Sequence, residues 1–72
     1  MASIKWVKIA TFGTGLEADA AKAQLEVEGI PVLLKGNGAG IFGAAFQGPV
    51  LGGVDLSVPL EMRTRAERIL DQ

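Results

Sequence analysis

Val54-Asp55-Leu56-Ser57-Val58 alternates strictly between apolar and polar residues. At a period of two, a strand turns Val54, Leu56 and Val58 to one face and Asp55 and Ser57 to the other, so this segment reads as a half-buried strand. Pro59 follows and starts a last helix, in which Met62, Ala66, Ile69 and Leu70 form an apolar stripe and Glu61 to Arg65 is a favourable i,i+4 pair.

Upstream, Ile4 to Phe12 reads as a strand rich in residues of high strand preference, ended by Gly13-Thr14-Gly15. Its alternation is imperfect: Val7, Ile9 and Thr11 point one way, Ile4, Trp6, Ala10 and Phe12 the other, so both faces ask for cover. A helix then runs from about Thr14 to Glu28. Thr14 and Glu17 stand in the S/T-x-x-E relation of a capping box, and Gly29 supplies the left-handed residue that closes a helix. The helix has two apolar stripes, Leu16, Ala20, Ala23, Val27 and, nearly opposite, Ala18, Ala21, Leu25. One can face a sheet; the other looks for a neighbour, unless its alanines are simply good helix formers at exposed positions. Ile30 to Lys35 is a second strand, with Pro31 confined to an edge or to its first residues.

The order β-α-β, long loop, β-α makes the first two strands parallel through a right-handed crossover, and the third inserts antiparallel between or beside them. The expected fold is therefore α+β: a ferredoxin-like βαββα sandwich, a single domain over 1–72, with a three-stranded, mostly antiparallel sheet and two helices on one face.

Between the second and third strands, 36–54 holds 19 residues without a charge and seven of the ten glycines. Lys35, Gly36, Asn37, Gly38 and Gly40 can form a backbone nest for a phosphate or carboxylate, or a flexible turn. Ile41, Phe42 and Phe46 are candidates to cover the open sheet face or a subunit interface, together with Trp6. Gly52-Gly53 is either a hairpin turn or a bulge entering the third strand. Gly13-Thr14-Gly15-Leu16-Glu17-Ala18 spells G-x-G-x-x-A, but only one βαβ unit fits in the chain and Lys35 stands where the acidic ribose ligand belongs, so a capped helix start is the better reading.

Composition narrows the chemistry. The 72 residues contain no Cys, His or Tyr, which removes thiol and imidazole nucleophiles, bases and metal ligands. No nucleophile and base pair up anywhere, so the chain reads as no enzyme, with no catalytic residue, metal or cofactor. Seven Lys plus Arg against eight Asp plus Glu leave a net charge of −1, too little for nucleic acid, and Arg63, Arg65 and Arg68 interleave with acids as a solvated face. The apolar run 40–46 is too short and glycine-rich to span a membrane. Lys5 and Lys8 interrupt the first apolar run, unlike a signal peptide, and a cytoplasmic location is expected. A chain this short extracts only about 3–5 kcal/mol from one core, so a homodimer or higher homo-oligomer is expected.

Ala10-Thr11-Phe12, Glu17-Ala18, Ala21, Leu25, Glu28-Gly29-Ile30-Pro31, Leu51-Gly52-Gly53-Val54, Val58-Pro59 and Ala66 together resemble a bacterial family of unknown function labelled prokaryotic signal-transducing proteins. The family looks related to the PII-like (GlnB-like) group of ferredoxin-like folds. The resemblance implies an oligomeric regulatory module whose long loop, here 36–53, is the contact element. It differs from a PII loop in having no Tyr and no basic residue beyond Lys35. Two other functions remain open: a sensor of an anionic ligand or nucleotide at the glycine-rich loop, and a structural accessory domain that binds another protein through Ile41, Phe42 and Phe46.

Overall fold

A computed structural model describes residues 3–36 and 49–70. The elements are β1 (Trp6–Thr14), α1 (Gly15–Val27), β2 (Leu33–Gly36), β3 (Pro49–Pro59), a 3-10 turn (Leu60–Met62) and α2 (Arg63–Leu70). The sheet order is β1-β3-β2, and β3 is antiparallel to both neighbours, which leaves β1 and β2 parallel to one another. The α+β ferredoxin-like arrangement follows, with β3 between the other two strands.

Val54, Leu56 and Val58 are fully buried while Asp55 and Ser57 are only half covered, as the alternation requires. Leu56 and Val58 share a core with Ala21 and Leu25 of α1, Ile30 and Ala66 of α2, so both helices cover the same face of the sheet. Val54 joins Ala18 in a second, smaller cluster.

β1 departs from the expected facing. Lys8 stands opposite Ser57 and Ala10 opposite Leu56, leaving Ile9 as an extra residue, a β-bulge. The bulge reverses the parity of the strand. Val7 and Ile9 before it and Phe12 after it therefore all pack against the core, whereas Thr11 joins Trp6 and Lys8 on the other face. The two-faced look of the sequence is the signature of this inserted residue.

A second irregularity answers the Gly52-Gly53 question in favour of the bulge. Phe12 pairs with Val54 and Thr14 with Pro49, so Gly13 faces the four residues 50–53 of a continuous β3. Gly53 has φ +83°, and a Cβ there would lie 2.8 Å from Thr11 Cγ2 and 3.1 Å from the Phe12 carbonyl oxygen. Only glycine fits this close approach of two backbones without strain.

The C-terminal signal of α1 forms as the sequence indicates, and the capping box forms by half, through Thr14 without a return bond from the Glu17 side chain. Thr14, extended at φ −133° and ψ 156°, accepts a 3.1 Å hydrogen bond from the Glu17 N–H through its hydroxyl. At the other end Gly29 has φ +81°; its N–H donates to the Glu26 carbonyl at 3.0 Å and the Ile30 N–H to the Leu25 carbonyl at 3.1 Å. These two bonds define a Schellman motif, and its companion hydrophobic contact is present because Leu25 and Ile30 are buried in one cluster.

Of the two stripes on α1, Ala18, Ala21 and Leu25 are buried, whereas Leu16 is 56% and Val27 83% exposed. The last helix begins later than expected: Pro59 closes β3, and the turn at Leu60–Met62 intervenes before α2. Arg65 pairs not with Glu61 but with Glu28, across the two helices.

Candidate functional site

Helices cover one face of the sheet; the opposite face presents side chains from all three strands. The ladder arranges them in rows. Lys8 of β1 stands opposite Ser57 of β3, which stands opposite Leu33 of β2; in the next row come Thr11, Asp55 and Lys35. Trp6 lies beyond the first row, opposite Pro59. A β3 residue thus sits between two partners in each row, within the reach of side chains directly opposite one another in an antiparallel ladder.

One contact fixes the centre of this face. The Thr11 hydroxyl donates a 2.9 Å hydrogen bond to Asp55 Oδ1 and holds the carboxylate toward β1. That orientation depends on the bulge at Ile9, because without the extra residue Thr11 would turn into the core. Lys8 and Lys35, both exposed, stand on the outer strands diagonally across from each other. To one side of this polar centre lie two large apolar side chains: Trp6 is 37% and Leu33 47% exposed. Thr11, Asp55 and Lys35 thus form a polar row, with Trp6 and Leu33 on its Ser57 side.

The residues singled out from the sequence fall in three places. Trp6 lies on this face, at the start of β1. Lys35 is exposed on it too, near the end of β2 and opposite Asp55, while the neighbouring Gly36 is a buried ladder residue opposite Val54. Asn37, Gly38, Gly40, Ile41, Phe42 and Phe46 lie outside the described residues, as does most of the expected contact loop; β2 and β3 take the ends of that segment, up to Gly36 and from Pro49. The sequence reading missed Lys8, Thr11 and Leu33 as members of one face. Only Thr11 needs the bulge to bring it there; plain alternation already sets Lys8 with Trp6 and Leu33 with Lys35.

The G-x-G-x-x-A run is built as a capped strand-to-helix junction, with Gly15 buried as the first residue of α1. Among the described residues, no three or more of His, Cys, Asp and Glu group to hold a metal ion, and no helix is long and apolar enough to cross a membrane.

The chain matches, over residues 6–72, the family described as "Putative prokaryotic signal transducing protein". It belongs to that family. The matched span opens at Trp6, the first residue of β1, and takes in every strand and helix of the fold, including the whole row structure of the open face. No curated protein and no solved structure matches the chain.

Proposed function

We propose that this chain is a small, non-catalytic regulatory module of the PII-like kind, acting as a homo-oligomer and meeting its partner through the open sheet face and the adjoining 36–53 segment. The observation that carries this reading is the sheet face that no described helix covers, where Trp6 and Leu33 stand beside the Thr11–Asp55 hydrogen bond and the two lysines. Family membership supports the signalling role. The lack of His and Cys supports the absence of catalysis.

Sedimentation at micromolar concentration tests the oligomer: a folded monomer at all concentrations overturns it. The face is tested by exchanging Leu33→Glu together with Lys35→Glu, both exposed, and measuring binding of partners that co-purify with the unaltered protein. Unchanged binding removes the face from the proposal.

A second reading, an anion site at Lys35, is favoured by the exposure of that lysine where β2 leads into the glycine-rich segment. Thermal shifts with nucleotides and inorganic phosphate, with Lys35→Ala as control, test it; a shift that survives the substitution excludes the lysine.

A further inference from the structure

We infer that two copies of this chain join through the outer edges of their β1 strands, antiparallel about a two-fold axis between Ile9 and Ala10. The inference rests on the homo-oligomer proposed above and supplies the contact.

β1 and β2 are the two edges of the sheet. β2 offers only four residues, just after Pro31, a short edge of the kind that resists further pairing. β1 offers nine residues without a proline, and among the described residues no strand pairs with its outer side. A long unpaired edge is a template for another strand. The core side of the same strand is also unfinished: Val7, Ile9 and Phe12 are only half buried, while the facing Val54, Leu56 and Val58 of the central strand are fully buried.

The bulge selects the occupant. Along β1, Trp6, Lys8 and Thr11 take the open face, while Val7, Ile9, Ala10 and Phe12 take register positions on the core face. Read outward from the Ile9/Ala10 peptide in either direction, the sequence of faces is the same: core, open, core. A second β1 running antiparallel therefore matches it face for face. Ile9 meets the partner's Ala10, Lys8 meets the partner's Thr11, and Val7 meets the partner's Phe12. An unbulged strand matches itself only when the axis passes through a residue; here the inserted residue moves the axis to a peptide bond. This register also keeps the like charges apart, since Lys8 and the partner's Lys8 are three positions apart, about 10 Å along the strands. A strand of plain alternation from another protein would match on one side of the bulge and clash in facing on the other. A bulge can also simply protect an edge, and the experiment separates the two roles.

The pairing makes one six-stranded sheet with all four helices on one side. The open face becomes a continuous double-width surface carrying two Thr11–Asp55 centres. The partner-binding face proposed above thus stays free in the dimer.

The cysteine-free sequence makes a direct test possible. Lys8→Cys and Thr11→Cys proteins, both exposed positions, are prepared separately and oxidised alone and as an equimolar mixture. Edge pairing predicts severalfold more disulfide-linked dimer in the mixture than in either alone, because position 8 faces position 11 of the partner. Ser57→Cys, at the centre of the open face, reports on packing of the two faces. If sedimentation shows a dimer but Ser57→Cys links to itself and the mixture gives no excess, the edge contact is overturned and the oligomer stands. If sedimentation shows a monomer and no pair links, both are overturned.

Discussion

Arg65 Nη2 donates a 2.8 Å hydrogen bond to the backbone carbonyl oxygen of Glu28, the C-terminal cap of α1, and lies 3.8 Å from the Oε1 of the same residue. A guanidinium on α2 thus satisfies a helix-end carbonyl on α1 and stands at the negative end of its dipole. Both side chains are about half exposed, so water screens the ion pair and the backbone bond is the larger part of the effect. We expect Arg65→Ala to lower stability by about 1 kcal/mol, and Glu28→Gln, which keeps the backbone acceptor, by less. Urea denaturation measures both; an equal loss would place the effect in the carboxylate.

Gly29 and Gly53 have nearly the same positive φ, yet their surroundings differ. Nothing lies within 4 Å of a Cβ built on Gly29, whereas at Gly53 it meets Thr11 Cγ2 at 2.8 Å. Gly29→Ala should therefore cost only the backbone strain, about 1 kcal/mol, and Gly53→Ala about 2–3 kcal/mol. Thr11→Ser removes the offending methyl and keeps the hydroxyl for Asp55, so it should recover part of the Gly53→Ala loss. Additive losses in the double variant would show that the clash is not what makes Gly53 necessary.

The two stripes of α1 predict opposite sensitivities. Leu25→Ala opens a cavity in the main core and should cost about 2–5 kcal/mol, enough to unfold a domain of this size. Leu16→Ala and Val27→Ala, on the exposed stripe, should change stability by less than about 0.5 kcal/mol. Thermal melts compare them, and a large loss at Val27 would reveal a partner on that stripe.

Removing the Thr14 hydroxyl tests the start of α1. Thr14→Ala should cost about 1 kcal/mol, and Thr14→Ser should be close to neutral because the acceptor for the Glu17 N–H is kept. Calorimetry on the two variants measures the difference.

Features that depend on one segment alone were legible in the sequence: the alternation of Val54 to Val58, the Thr14 cap and the Gly29 ending. Each is written in local residue order. The bulge at Ile9 was not, because a bulge is a relation between two strands, visible only once Lys8 and Ala10 are set against Ser57 and Leu56. The facing of Thr11, and with it the candidate site, depends on that relation. Likewise the sequence offered Glu61 as partner for Arg65 by helical spacing, but the packing of α2 beside α1 brings Glu28 into reach. The sequence set out two stripes on α1 and could not rank them, since both are apolar and only the sheet chooses between them.

The central position of β3 has a consequence for the order in which this protein acquires its shape. Among the described residues β1 and β2 pair with no strand but β3, so Lys8 must wait for Ser57 and Phe12 for Val54. During synthesis the first half of the chain can form α1 but no sheet at all. Both ladders need the Val54–Val58 segment, across sequence separations typical of slowly folding, non-local topologies. Until then the apolar stripe Ala18, Ala21, Leu25 can lean on Val7, Ile9 and Phe12 of β1 but lacks Val54, Leu56 and Val58, which complete the core.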